Sequence, residues 1–212
     1  MERSIYLDQL YFDGFLKFKI DPKNSDLKNI NEIIKSIEDG NIKEGFSMET
    51  KYDRSADLRP STIEYDASFS KVCESIGVID ILNEYLKYKT KPRTVQLRAA
   101  YEGSSYLSWH RDTHKYKNDA TTVGNVPPVF KAIYYPHISN NKPRATLRVS
   151  SGSHLRYFNS KIVDLTVPRL MFNKKVDIQE SNDTILIFNT GLLHSVLSVK
   201  GTPIYRLITS FK

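Results

Sequence analysis

Two stretches of this chain carry metal-ligating residue types: Trp109-His110-Arg111-Asp112 and, far downstream, Gly191-Leu192-Leu193-His194. Side chains alternate along an extended strand, so His110 and Asp112 project together while Arg111 points the opposite way. A second imidazole arriving from a distant strand completes a two-histidine, one-carboxylate face. That set suits high-spin Fe(II) and leaves open coordination positions for a co-substrate and oxygen. His-x-Asp alone is a weak signal, but the downstream residues strengthen it. His194 comes after Asp183-Thr184-Ile185-Leu186-Ile187-Phe188-Asn189, an apolar, β-branched run that reads as a buried strand. Arg206 lies inside a last apolar strand, Ile204-Tyr205-Arg206-Leu207-Ile208-Thr209-Ser210-Phe211, on the face of Ile204, Ile208 and Ser210. A guanidinium there needs an anionic partner, and a dicarboxylic co-substrate supplies one through paired hydrogen bonds.

These residues need a scaffold, and the periodicity describes one. A short helix around Ile5 to Phe12 precedes a strand in which Leu16, Phe18 and Ile20 alternate with Lys17 and Lys19. Asp26 to Glu38 is an amphipathic helix with Leu27, Ile30, Ile33, Ile34 and Ile37 on one face, and Gly40 sits at its expected stop. Residues 41–62 read as polar and irregular. Helical spacing returns around Phe69 to Ile76 and Val78 to Tyr88, divided by Gly77. From Thr94 the pattern becomes strands, at 94–101, 106–112, 129–138, 145–150, 184–189, 194–199 and 203–211. Helices first and strands afterwards predict an α+β domain over 1–212. Helical support occupies 1–93 and a double-sheet jelly-roll barrel 94–212, with the metal in its mouth. Two inserts, Lys115 to Pro128 and Arg156 to Ser181, read as loops gating that mouth.

The chain resembles the Fe(II)/2-oxoglutarate oxygenases, and among them most the phytanoyl-CoA dioxygenase family. Tyr11-Phe12-Asp13-Gly14-Phe15-Leu16 is similar to that family's N-terminal Asp-Gly-Phe segment between helix and strand. Ser108-Trp109-His110-Arg111-Asp112-Thr113 looks like its first metal motif, and Ser151-Gly152-Ser153-His154 like its Pro-Gly-Ser-His turn, with Ser151 replacing the proline. His194 and Arg206 fall near the family's spacing for the distal histidine and the 2-oxoglutarate arginine. Lys131-Ala132-Ile133-Tyr134-Tyr135 and Leu193-His194-Ser195-Val196 look instead like prolyl hydroxylases. The resemblance implies a double-stranded β-helix, cupin-like, with Fe(II) on His110, Asp112 and His194. It implies 2-oxoglutarate chelating the iron with its far carboxylate on Arg206. Tyr135 is a second candidate for that carboxylate and Tyr101 a third. The implied reaction consumes O2 and 2-oxoglutarate, releases succinate and carbon dioxide, and hydroxylates a small molecule. Asp112 favours hydroxylation, since halogenating relatives have a small residue there.

Rival readings attach to other residues. A zinc site from His110 and His114 lacks a third nitrogen or sulfur ligand, because the lone Cys73 is badly placed. Nucleic-acid demethylases of the superfamily carry two basic residues six apart in the last strand, as Arg206 and Lys212 do here, but Lys212 ends the chain. A non-catalytic barrel module is disfavoured by the intact ligand set. His114 reads as solvent-facing, His137 as a strand-end surface residue, His154 as part of a turn, and Trp109 as core.

Composition narrows the class further. Apolar residues make up 40% of 212, too many for disorder at this charge, and no run is long enough to cross a bilayer. The start shows no signal-peptide pattern, and one cysteine permits no internal disulfide, which fits a reducing cytoplasm. Cys73, on the helical face of Phe69, Val72 and Ile76, reads as a buried small residue. A net charge of +7 favours anionic partners. The basic run Lys87-Tyr88-Lys89-Thr90-Lys91-Pro92-Arg93 reads as a solvated connector. The expected partner is a small, anionic-leaning substrate, with no nucleic acid and no membrane.

Overall fold

Alternating burial along the strands decides the architecture. The computed structural model describes residues 2–21, 23–52, 54–103, 109–112, 130–136, 145–155 and 174–211. Among the described residues there are ten strands: β1 (Phe15–Lys19), β2 (Ser47–Tyr52), β3 (Ser55–Arg59), β4 (Pro92–Ala100) and β5 (Phe130–Tyr134), then β6 (Ala145–Ser150), β7 (Lys175–Gln179), β8 (Thr184–Asn189), β9 (His194–Val196) and β10 (Ile204–Phe211). Seven form one antiparallel sheet in the order β1-β8-β5-β10-β4-β3-β2, and three form a second in the order β7-β6-β9. The non-sequential order and the two facing sheets make a double-stranded β-helix.

Each face of the large sheet has its own core. Val95, Leu97 and Ala99 of β4, Ala132 and Tyr134 of β5, Ile185 and Ile187 of β8 and Leu207 of β10 face one way. There they meet α1 (Glu2–Phe12), α2 (Ser25–Glu38), α4 (Ser68–Ser75) and α5 (Val78–Leu86), with the short α3 (Thr62–Tyr65) alongside. The intervening residues Ala100, Ile133, Tyr135, Leu186, Phe188 and Ile204 face Leu147, Val149 and Ile178 of the small sheet. Asn24 caps α2 by accepting from the backbone N–H of Asp26 and Leu27, and Leu27, Ile30, Ile34 and Ile37 form its buried stripe. Cys73 is buried, and desolvation pushes its thiol up to about 11, which makes it an inert packing residue.

Three expectations need correction. Residues 41–62 are not irregular throughout, because β2 and β3 pair as a hairpin and α3 follows. β2 is a polar edge strand, Ser-Met-Glu-Thr-Lys-Tyr, whose composition hides it. The insert from Arg156 to Ser181 ends in β7, which pairs β6 through a Val176 and Ile178 alternation set among charges. The stretch up to Asp112 is no continuous strand over its described residues 109–112, where a single bridge joins His110 to His194. Residues 113–129 and 156–173, which hold His114, the whole first gating insert and the second up to residue 173, lie outside the described residues, as do His137 and Lys212. Among the described residues no helix is long and apolar enough to cross a membrane.

Candidate metal and co-substrate site

The bridge brings the far-apart histidines together. The His110 backbone N–H donates to the His194 carbonyl at 2.9 Å, and the His194 N–H returns the bond at 2.9 Å. Asp112 then donates its N–H to the Thr190 carbonyl at 3.0 Å. Those bonds keep His110 and Asp112 on one side, as strand alternation would. One ligand atom each from His110, Asp112 and His194 lie within 4.8 Å of one another. His110 Nε2 is 3.5 Å from Asp112 Oδ1, and His194 Nε2 is 3.7 Å from Asp112 Oδ2.

The electrostatics prepare these groups as ligands. Burial drives His194 down to about 4, the nearby carboxylate only partly offsetting it, so its imidazole is neutral at ordinary pH. Its Nδ1 lies 2.9 Å from the Leu192 carbonyl, a bond that sets Nδ1 as the N–H and turns a bare Nε2 toward Asp112. Burial would raise Asp112, but the hydrogen bond with His110 and the Lys131 ammonium outweigh it and hold the carboxyl below its usual range. Two imidazoles, that of His194 neutral, and one carboxylate gathered this closely fit a divalent transition metal.

A second layer holds the ligand segments in place. Arg111 points away from the ligands into the protein and is 1% exposed. Its Nη1 donates to the Ser153 carbonyl at 2.7 Å and to the Gly191 carbonyl. Ser153 Oγ accepts the Leu193 N–H at 2.8 Å, and Ser150 donates its N–H to the Leu193 carbonyl at 2.9 Å. The Gly-Ser-His turn therefore props up the segment that delivers His194. It also locks onto the Asp-Gly-Phe segment: Gly152 donates its N–H to the Asp13 carbonyl at 3.0 Å, and Ser151 Oγ bonds Asp13 Oδ1. His154 is buried in that contact, its Nε2 3.0 Å from the Tyr11 carbonyl. Gly14 has a φ of +79°, and a Cβ there would lie 2.3 Å from His154 Nδ1, so only glycine fits. Trp109 is half-buried and is not part of the core.

The triad opens on a cavity of about 80 Å³. Arg206 lines it on the face shared with Ile208, as do Ile133 of β5 and Tyr135 just past the end of β5. Arg206 is 5% exposed and lies near Tyr135, whose hydroxyl accepts from Thr146 Oγ1 at 2.7 Å. Burial raises the Tyr135 phenol, Arg206 opposing it, so Tyr135 is a neutral donor. Tyr101 is 36% exposed, follows the end of β4 and is not among the cavity-lining residues.

Two cavity cations are not evident in the sequence. Lys131 shares the cavity face with Ile133 and with Tyr135 just past β5, two and four residues on, so period-two alternation could have found it. Arg98 stands directly opposite Arg206 in the β4–β10 ladder, a register no sequence pattern announces. Asp57, 2% exposed on β3, fixes Arg98 through bonds of 2.6 and 3.1 Å.

No protein-family model and no curated protein sequence matches the chain. Solved structures do. HygX from Streptomyces hygroscopicus, with nickel, 2-oxoglutarate and hygromycin B bound, superposes at a TM-score of 0.69 and 12% identity, covering 99% of this chain and 86% of HygX. The epimerase SnoN, in complex with Fe3+, α-ketoglutarate and nogalamycin RO, gives 0.71 at 9% identity over 99% and 83%. EctD from S. alaskensis, with 2-oxoglutarate and 5-hydroxyectoine, gives 0.70 at 14% identity over 97% and 74%. These likenesses establish a shared fold.

Proposed function

We propose that this protein is an Fe(II)- and 2-oxoglutarate-dependent oxygenase acting on a small molecule, and that within that superfamily it stands nearest the phytanoyl-CoA dioxygenase branch. The convergence of His110, Asp112 and His194 on one point beside the buried Arg206 carries the reading. His110, Asp112 and His194 would hold the iron, which together with 2-oxoglutarate and O2 supplies the oxidising chemistry. In the net reaction one oxygen atom goes to succinate, formed with carbon dioxide from 2-oxoglutarate, and the other to a substrate C–H bond.

The chain's own residues supply orientation. Arg206 offers a planar fork to the far carboxylate of 2-oxoglutarate, with the Tyr135 hydroxyl as a second donor. Ile133, Leu147, Phe188, Val196 and Ile208 make the walls apolar, which strengthens each polar contact inside. Lys131 and Arg98 also line the cavity, paired with Asp112 and Asp57, and the net charge of +7 supports a substrate bearing an anionic group. The ligands held by HygX, SnoN and EctD support a small-molecule substrate.

Turnover of 2-oxoglutarate tests this. Protein reconstituted anaerobically with Fe(II), then given oxygen and ascorbate, is expected to form succinate slowly alone and faster with its substrate from a metabolite panel. A loaded protein that forms none contradicts the co-substrate assignment. SnoN favours a second outcome, epimerisation, on the same scaffold. Incorporation of label from 18O2 into product separates hydroxylation from that outcome.

A further inference from the structure

Lys131 is a cation that the metal reading does not use, placed where the metal's charge would be felt. Its Nζ donates to Asp112 Oδ2 at 2.8 Å, so one oxygen of the only carboxylate in the ligand set is already shared with an ammonium. The backbone beneath it is fixed on both sides. β5 runs between β10 and β8, with Lys131 in register with Ser210 and Phe188. Only the side chain can move, and it is 29% exposed, which gives the ammonium water to turn toward.

A dication on the His110–Asp112–His194 face therefore meets two penalties. It must share Asp112 with Lys131, and it sits a few ångströms from a like charge in a partly buried site, where Coulomb repulsion is weakly screened. A chelating dianion removes most of both penalties, because it cancels the metal's charge as it binds and offers the ammonium another partner. Resting on the proposed function, we propose that Lys131 is a built-in competitor of the metal, a positioning residue that makes divalent-metal binding depend on the anionic co-substrate. Metal alone binds weakly, and metal with 2-oxoglutarate binds tightly. By linkage, the co-substrate binds tightly only with metal present.

The test is Mn(II) titration at fixed neutral pH, followed by electron paramagnetic resonance of free Mn(II), with and without 2-oxoglutarate. Wild type, Lys131→Met and Lys131→Arg are compared, each checked for an unchanged circular-dichroism spectrum. Methionine keeps the stem's apolar length without the charge, and arginine keeps the charge. Lys131→Met is expected to bind Mn(II) alone about tenfold tighter than wild type and to gain less from 2-oxoglutarate. Lys131→Arg is expected to behave like wild type, which a merely structural lysine would not predict. Mn(II) binding in Lys131→Met equal to or weaker than wild type overturns the proposal. So does equal tightening by both variants. If all three proteins bind Mn(II) alike and 2-oxoglutarate tightens each alike, the functional reading stands and the competition falls. If none binds Mn(II) under either condition, the metal site itself is refuted and the competition with it.

Discussion

His110 and His194 meet through one isolated bridge, whereas Arg206 sits within β10, opposite Arg98 of β4 and one residue from the start of the pairing with β5. One end of the cavity is held by a short bridge braced by side-chain bonds, the other by a long, continuous ladder of main-chain bonds. The difference fits the two tasks. A metal needs three ligands from two distant segments, here the start of β9 and the stretch bridged to it, and Arg111 and the Gly-Ser-His turn brace that junction. A carboxylate needs one rigid fork at a fixed distance, and a strand interior fixes the backbone that carries it. The metal end should thus be open to disruption through its braces, and the Arg206 end chiefly through Arg206 itself.

The largest expected effect is at the Arg206 end. Arg206→Ala should weaken 2-oxoglutarate binding by about 2–5 kcal/mol and leave Mn(II) affinity nearly unchanged, measured by titrating metal-loaded protein. Arg206→Lys should recover only part of the loss, because an ammonium cannot reproduce the planar fork. Equal losses of metal and co-substrate would erase the distinction between the two ends.

Arg111→Met tests the braces. It removes a buried guanidinium's bonds to two carbonyls and should cost about 3 kcal/mol of stability, read as a lower Tm. Metal affinity should fall with it, because the Ser153 and Gly191 segments lose their common anchor. Unchanged metal binding at reduced Tm would show that the turn stabilises the fold without positioning His194.

The pH dependence of stability sharpens the same end. His194 is lowered by burial from 6.5 to about 4 in the folded protein. Between those values the unfolded chain takes up a proton that the folded one refuses. The metal-free protein should therefore keep this contribution in full above about pH 6.5 and lose it as pH falls toward 4, by up to roughly 3 kcal/mol. Denaturant melts across that window check it, and His194→Gln should flatten the slope.

Tyr135→Phe is the mildest change. The phenol already accepts from Thr146, and its own proton remains to donate to a carboxylate beside Arg206. Losing one neutral bond should weaken 2-oxoglutarate binding by about 1 kcal/mol, well below the Arg206 effect. A loss as large as that of Arg206→Ala would make the tyrosine an equal partner.

The residues legible from sequence were those announced by a local pattern. His194 and Arg206 stand at the ends or in the middle of long apolar runs, and buried strands such as β8 and β10 advertise themselves by composition. The Asp-Gly-Phe and Gly-Ser-His segments were visible as motifs, yet their mutual contact through Asp13, Gly14 and His154 was not, because it is a tertiary fact. Edge strands β2 and β7 were hidden by polar residues that solvent exposure permits. Arg98 and Asp57 depend on the register between β3, β4 and β10, which a one-residue slip would undo. Arg111 could be assigned a direction by alternation, but its acceptors are main-chain carbonyls that no residue type encodes.

The most direct test of the central claim is anaerobic addition of 2-oxoglutarate to Fe(II)-loaded protein, followed by visible absorption. Wild type should show a weak charge-transfer band, the signature of a 2-oxo acid chelated to ferrous iron. His110→Ala, Asp112→Ala and His194→Ala should each abolish it while circular dichroism shows the sheets intact. A band that survives in any two of those variants, or never forms in iron-loaded wild type, would contradict the assignment of His110, Asp112 and His194 as the iron ligands of a 2-oxoglutarate enzyme.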